Sequence, residues 1–193
     1  MRIKVDNLVK VFETGKQSVT ALGGVSFEVL DGEFFSVIGP SGCGKSTLLY
    51  LIAELHPPTS GSVEFVGEQK CKARTSLVWQ DYRLLPWRTV ETNVSFPVEM
   101  KDEPKPLIRR VTSYFLGLVR LGDFQTSYPG QLSGGMKQRT GIARALANDP
   151  EVLLMDEPFA HLDALARRLL QEELMALWER TGKTIIYVTH NIE

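Results

Sequence analysis

The chain has 193 residues, of which 43% are hydrophobic and 23% are charged. A chain of this size and composition can bury a core of its own, so disordered and fibrous classes are excluded. The 22 basic and 23 acidic side chains nearly cancel, so bulk charge gives no reason to expect nucleic-acid wrapping or binding to anionic lipid.

Cysteine content and apolar run lengths bear on where the protein works. Cys43 and Cys71 are too few for a disulfide scaffold, and Cys43 lies in a glycine-rich loop where a reduced thiol is expected, which favours the cytoplasm. Met1–Phe12 alternates charged and apolar residues, unlike a signal peptide. Apolar runs such as Val152–Met155 are far shorter than the ~20 residues of a membrane-spanning helix. We therefore expect a soluble chain that meets a membrane only through a partner.

The first part of the chain predicts strands. Ile3–Val5 and Val25–Val29 alternate as half-buried strands do, and Asp31-Gly32 indicates a turn, so an antiparallel start is expected. Phe34–Ile38 is a short apolar run that ends at glycine, and Ser46–Ala53 after it has helical composition. The order is therefore strand, loop and helix.

The middle of the chain has a different character. Between Leu84 and Gly135, prolines punctuate apolar helical stretches such as Leu107–Val119, which predicts a helical insertion. We place this helical subdomain at about residues 84–147 of a single domain, with residues 1–83 and 148–193 as the core.

Strand and helix alternate again from residue 151. Val152–Met155 reads as a buried strand, Leu162–Arg180 as an amphipathic helix that ends before Gly182, and Thr184–Thr189 as a strand. The sequence therefore predicts an α/β core with a parallel sheet.

A phosphate-binding loop lies between the third strand and the first helix. The pattern is matched by Gly39-Pro40-Ser41-Gly42-Cys43-Gly44-Lys45-Ser46, followed by Thr47. Glycines let backbone N–H groups close around phosphate oxygens at a helix N-terminus. Lys45 is expected to reach the β- and γ-phosphates, and Ser46 to offer its hydroxyl to Mg²⁺. The alternative is a glycine-rich turn that matches by chance, but the flanking strand and helix favour binding of ATP or GTP.

Two carboxylates end the buried strand that begins at Val152. Asp156 and Glu157 fall at the carboxyl edge of the sheet, where ligands of open α/β sheets bind. Alternation is expected to point them in different directions. Asp156 suits Mg²⁺ and its water shell, and Glu157 suits general-base activation of water. The alternative is an acidic helix cap or turn at Glu157-Pro158.

A second candidate anion site precedes another helical run. Ser133, Gly134 and Gly135 offer a hydroxyl and two flexible backbone N–H groups at a predicted helix start. One nucleotide has no evident need for two such sites within one chain. Alone, this stretch would read as a serine N-cap with glycines in the entering loop.

The chain carries the phosphate-binding loop, then Leu132-Ser133-Gly134-Gly135, then Asp156-Glu157. With these motifs in this order, it resembles the ATP-binding cassette ATPases over essentially its whole length. The resemblance implies a P-loop NTPase core with a mostly parallel sheet, an N-terminal antiparallel β subdomain and a helical insertion. It also implies ATP and Mg²⁺ as cofactors. In that family two cassettes pack head to tail, so Ser133, Gly134 and Gly135 would complete the site of a neighbouring subunit.

Four more positions match motifs of that family. Gln80 resembles the glutamine that touches Mg²⁺ or the attacking water, and His190 resembles the histidine that contacts the γ-phosphate. Asp163 resembles the aspartate that links the two sites, and Phe12 the aromatic residue on which adenine stacks. Without the resemblance, Gln80 would be interpreted as a solvated loop residue and His190 as a strand-end cap. Asp163 would be interpreted as a helix N-cap and Phe12 as a core residue.

The segment Gln80–Trp87 resembles the corresponding segment in importers of the nitrate, sulfonate, taurine and pyrimidine-precursor group. In those importers this region faces the permease. That resemblance implies a homodimer beneath a membrane-embedded permease, on the cytoplasmic face of the membrane, supplied by an extracytoplasmic solute-binding protein. Leu85 and Trp87 would equally suit a hydrophobic seam inside the helical insertion.

Other functions remain open at this point. One is a soluble cassette ATPase acting on nucleic acid or ribosomes, although the long coiled coil of many such proteins is missing between Lys45 and Ser133. Another is a regulator that binds ATP without hydrolysis, although Glu157 and His190 argue against it. Cassettes of the family usually continue past the histidine, so the ending at Glu193 indicates a truncated or partial form.

Overall fold

The computed structural model describes residues 1–15, 17–67, 74–160, 162 and 164–190. They fall into two compact units. The first comprises Met1–Leu77, Glu151–Glu157 and Arg180–Glu193, and the second comprises Val78–Pro150 and Pro158–Glu179. The predicted core included residues 158–179, which here group with the second unit. Within the described ranges, no helix is both long enough and apolar enough to span a bilayer.

The first unit begins with a three-stranded antiparallel sheet. Strand β1 (Arg2–Thr14) pairs on one side with β2 (Gln17–Val29) and on the other with β4 (Ser60–Val66). The sequence predicted only fragments of β1 and β2 and did not predict β4. Register shifts along β1 explain the fragments, because each irregularity resets the two-residue alternation on which the prediction depended.

A four-stranded sheet in the order β3-β7-β6-β5 forms the rest of the strand framework. Its strands are β3 (Phe34–Ile38), β7 (Thr184–Thr189), β6 (Val152–Asp156) and β5 (Thr75–Val78). Strand β7 runs parallel to both β3 and β6. Every residue of β6 is buried, as is all of β7 except its last residue, which explains their continuous apolar runs. The parallel pairing brings the carboxyl ends of β3, β7 and β6 to one edge.

Helix α1 (Lys45–Ile52) joins the two sheets into one core. Its Leu49 and Ile52 are fully buried, in a cluster that includes Leu8 of the antiparallel sheet and Leu154 of β6. Packing on both sides fixes the start of α1 beside the carboxyl ends of β3 and β6.

The second unit is helical. Its helices are α2 (Val90–Glu99), α3 (Lys105–Leu118), α4 (Gly134–Ala147) and α5 (Ala164–Thr181). The last two residues of α5 belong to the first unit. Short 3-10 turns lie at Gly122–Phe124 and Pro129–Gln131. Side chains of α2, α3 and α4 share a core around Val94, Leu116 and Ala143. The predicted α/β class, with antiparallel strands at the start and a helical segment, is confirmed.

Candidate functional site

The glycine-rich loop has a backbone that only glycine adopts easily. Gly42 and Gly44 have φ values of 81° and 96°, in the left-handed region that disfavours other residues. A Cβ on Gly44 would also overlap the carbonyl oxygen of Ala21. Gly44 is the N-cap of α1 and offers no side-chain acceptor. The first N–H groups of α1, which lack partners within the helix, therefore face a position that suits an anion.

Lys45 bridges the loop and the neighbouring carboxylates. Its side chain is buried, and Nζ donates hydrogen bonds to the carbonyl oxygens of Gly39 and Pro40 at 2.8 Å and 2.9 Å. Nζ also lies 3.7 Å from Oε1 of Glu157. A buried ammonium requires such partners, and these hold the cation where the loop would receive phosphate.

Asp156, at the end of β6, accepts two hydrogen bonds from α1. Ser46 Oγ donates to Oδ1 at 2.8 Å, and the hydroxyl of Tyr50 donates to Oδ2 at 3.0 Å. Burial raises the pKa of Asp156 above its ordinary value, and the Glu157 carboxylate adds to the rise, whereas the hydrogen bonds from Ser46 and Tyr50 oppose it. A carboxylate oxygen beside a hydroxyl oxygen is a donor pair that fits Mg²⁺.

No group of three or more histidine, cysteine, aspartate or glutamate side chains that would hold a metal occurs in the described part of the chain. Magnesium needs no such cage, because it keeps several waters and uses one or two carboxylates together with substrate phosphates. The pair formed by Ser46 and Asp156 therefore matches the chemistry of that cation.

Glu157 follows β6 in an unusual backbone conformation. Its φ is 42°, in the left-handed region that few non-glycine residues adopt. Its N–H donates to the carbonyl oxygen of Val188 on β7 at 3.0 Å. This turn sends the Glu157 carboxylate to His190, whose Nδ1 lies 2.8 Å from Oε2. Glu157 thus has a cation beside one carboxylate oxygen and an imidazole beside the other.

Phe12 lies on β1 with 38% of its surface exposed, so it is not a core residue. Lys10 Nζ is 5.0 Å from the centre of its ring, and the imidazole of His56 meets the ring edge to face at 6.2 Å. Adenine stacking on this partly exposed ring stays a prediction.

Most of the remaining predicted residues belong to the second unit. Ser133 is the N-cap of α4, and its Oγ accepts a hydrogen bond from the N–H of Met136 at 3.3 Å. The capping alternative is therefore real, yet Gly134 and Gly135 still form the first turn, whose N–H groups lack helical partners. Gln80 follows β5 in the second unit. Asp163 lies outside the described residues.

The segment after Gln80 is held by an arginine that the sequence did not single out. Tyr82 and Arg83 both have positive φ, 58° and 42°. Arg144 of α4 donates hydrogen bonds to their carbonyl oxygens at 3.0 Å and 2.7 Å. The helix that Ser133 caps is thus bonded directly to the Gln80 segment.

Within the first unit, five predicted residues converge: Lys45, Ser46, Asp156, Glu157 and His190. Tyr50 also belongs to this cluster and was missed. Its spacing from Ser46, one helical turn, was the available signal.

This chain is similar to known proteins in both sequence and structure. A family model described as ABC transporter matches residues 22–160. An uncharacterised ABC transporter ATP-binding protein of Methanocaldococcus jannaschii is 48% identical, over 100% of this chain and 73% of that protein. The aliphatic sulfonates import ATP-binding protein SsuB of Bacillus cereus is 43% identical, over 100% of this chain and 76% of its own length.

Among solved structures, a dimeric post-hydrolysis state of an ATP-binding cassette bound to ADP and Pi is similar throughout. The TM-score is 0.86 at 34% identity, and the match covers 98% of this chain and 88% of that one.

Proposed function

Because the chain belongs to the ABC transporter family and is an ATP-hydrolysing cassette, we propose that it powers solute import through a membrane permease. The observation that carries this proposal is the similarity to an import ATP-binding protein along the whole chain, at 43% identity. The residues that converge at the ends of β3, β6 and β7 supply the chemistry that such a subunit needs.

ATP is proposed to place its phosphates in the loop of residues 39–46, with Thr47 at the edge of the same site. Lys45 Nζ, already held by two loop carbonyls, faces the β- and γ-phosphates. Water attacks the γ-phosphorus, the bond from phosphorus to the ADP oxygen breaks, and the water proton passes to Glu157. His190 orients the Glu157 carboxylate through the 2.8 Å contact and reaches the γ-phosphate. Gln80 is assigned to the attacking water and the metal.

Ser46 and Asp156 are the residues that would hold Mg²⁺, because their oxygens lie together and one of them is a carboxylate. When bound, this cation neutralises charge on the phosphoryl group being transferred. Asp156 is held in place by two hydrogen bonds from α1, so this part of the site is formed before the metal arrives.

The working unit is proposed to be a head-to-tail homodimer. In it, the α4 start at Ser133, Gly134 and Gly135 covers ATP that is bound to the loop of the partner. Helix N-termini bind anions well, and a dimeric cassette bound to ADP and Pi has a similar fold. Asp163 is assigned to the link between the two sites, and Phe12 to the adenine ring.

The permease is proposed to bind the segment that includes Leu85 and Trp87. Trp87 is 72% exposed, and exposed aromatic residues often dominate protein interfaces. The proposal also assigns the protein to the cytoplasmic face of the membrane, with a solute-binding protein acting from the other side. A role on nucleic acid has no support from the balanced charge of the chain.

The test uses cassettes assembled with a candidate importer permease, in vesicles with ATP on the cassette side. Wild-type assemblies are expected to accumulate solute, and Lys45→Ala assemblies are not. Uptake by Lys45→Ala at the wild-type rate, or no ATP-dependent uptake by the wild type, would refute the import proposal.

The same assemblies test the dimer. Lys45→Ala disables the loop half of a site and Ser133→Arg the α4 half, so either homodimer has two damaged sites. In a mixed dimer one site collects both lesions and the other has neither. Tagged mixed dimers are therefore expected to occlude about one ATP where both parents occlude almost none. Ser113→Arg, on an exposed face of α3, is the matched control and should occlude ATP normally. Normal occlusion by Ser133→Arg homodimers would contradict the arrangement.

A further inference from the structure

The carboxylate of Asp156 is held at both oxygens by one helix. Ser46 and Tyr50 are four residues apart on α1, so their side chains lie on the same face of the helix. The Ser46 hydroxyl donates to Oδ1, and the Tyr50 hydroxyl donates to Oδ2 at 3.0 Å. The two hydrogen bonds have different consequences, because only Ser46 is also a candidate ligand for the metal.

The outer torsion of an aspartate side chain is broad, so one hydrogen bond leaves the carboxylate free to rotate. Magnesium tolerates little deviation from octahedral geometry at 2.0–2.1 Å. A donor on the second oxygen therefore has a definite task, which is to fix the plane of the carboxylate while the first oxygen faces the cation. Tyr50 occupies that position.

The Tyr50 ring is itself held in place. It packs against the core cluster of the first unit, and the Tyr50 and His56 rings meet edge to face with 6.0 Å between ring centres. His56 in turn contacts Phe12. The hydroxyl is therefore carried on a ring that cannot easily swing away from Asp156.

We propose that Tyr50 is a positioning residue for metal binding, which fixes the Asp156 carboxylate so that its other oxygen and the Ser46 hydroxyl meet Mg²⁺ in the required geometry. The inference rests on the proposed role of Asp156 and Ser46 as the magnesium-binding residues. Donors that orient a ligand without touching the metal typically change metal affinity by about 10–100-fold when removed.

The experiment measures how strongly Mg²⁺ improves nucleotide binding. The dissociation constant of a fluorescent ATP analogue is determined for the full chain with excess Mg²⁺ and with EDTA. The value in EDTA is divided by the value in Mg²⁺, and this ratio is compared between variants. Tyr50→Phe removes only the hydroxyl and keeps the ring contacts. It is expected to reduce the ratio by about tenfold or more, while the constant in EDTA stays within about twofold of wild type.

Two further variants make each failure recognisable. Tyr114→Phe removes an exposed hydroxyl from α3 and should leave the ratio unchanged. Asp156→Asn should reduce the ratio at least as much as Tyr50→Phe does. If Asp156→Asn reduces the ratio and Tyr50→Phe does not, the inference about Tyr50 is overturned alone. An unchanged ratio in Asp156→Asn overturns the proposed metal site and the inference with it. If Tyr50→Phe weakens nucleotide binding equally with Mg²⁺ and with EDTA, Tyr50 has a general structural role and the inference is overturned.

Discussion

Asn93 supports the turn that presents Trp87. Its side chain is fully buried at the start of α2. Its Oδ1 accepts from the N–H of Leu85 at 2.8 Å, and Nδ2 donates to the carbonyl oxygens of Leu85, Arg88 and Thr89 at 3.1, 3.1 and 3.0 Å. The oxygen and the two N–H bonds of one amide thus hold a segment in which Pro86 and Trp87 are exposed. We therefore expect Asn93→Ala to destabilise this segment strongly.

The size of the effect follows from which groups lose their partners. The Leu85 carbonyl keeps a hydrogen bond from the Arg88 N–H, and the Thr89 carbonyl keeps one from the Asn93 N–H. The Leu85 N–H and the Arg88 carbonyl lose the hydrogen bonds that Asn93 gave them. A buried polar group without a partner costs about 1–3 kcal/mol. Because Leu85 and Arg88 are half-buried, we expect Asn93→Ala to lower the unfolding free energy by about 2–4 kcal/mol.

Urea denaturation of the full chain measures this loss, and hydrogen exchange at the Leu85 amide shows whether it is local. That amide should exchange much faster in Asn93→Ala than in wild type. Ser113→Ala, on the exposed face of α3, is the control and should stay within about 0.5 kcal/mol of wild type. Asn93→Asp keeps the acceptor for Leu85 but turns an oxygen toward three carbonyls, so it should be at least as destabilising as alanine. A loss below about 1 kcal/mol in Asn93→Ala, or a stable Asn93→Asp, would refute this account.

Two further predictions concern hydrolysis and docking. Glu157→Gln should keep ATP affinity within a few-fold and slow single-turnover hydrolysis by about 10²–10⁴-fold or more, because the amide keeps the shape but cannot take a proton; near-normal hydrolysis would remove Glu157 from the role of base. Alanine at both Leu85 and Trp87 should weaken co-purification with the permease by an equivalent of about 2 kcal/mol or more and spare ATP hydrolysis by the isolated protein. If the stability of the isolated protein falls instead, these residues form a hydrophobic seam within the second unit.

The phosphate-binding loop could be predicted because its chemistry is contiguous in the sequence. The left-handed glycines, Lys45 and Ser46 follow one another, and the loop requires only a strand before it and a helix after it. The meeting of Asp156 with this loop followed from a rule about parallel strands, whose carboxyl ends share one edge. The family resemblance, the fold class and the ATPase activity that it implied are confirmed.

Tyr50, Asn93 and Arg144 could not be predicted with the same means. Each acts through hydrogen bonds to residues distant in the chain or to backbone carbonyls of an irregular turn. A tyrosine in a helix beside apolar residues is first a core residue, and an asparagine near a helix start is first a cap. Periodicity identifies the face on which a side chain lies, but the partner on the other element depends on packing.

The direction of the Glu157 side chain has a cause that strand alternation did not predict. The sequence predicted that strand alternation would separate the Asp156 and Glu157 side chains, but β6 ends at Asp156. Glu157 instead adopts a left-handed backbone with φ of 42°, and its N–H bonds to Val188 of β7. For a residue with a Cβ this conformation costs on the order of 1–2 kcal/mol. Glycine would avoid that cost but has no carboxylate to place between Lys45 and His190. The position therefore retains a strained glutamate where backbone stability alone would favour glycine, as is common at functional sites.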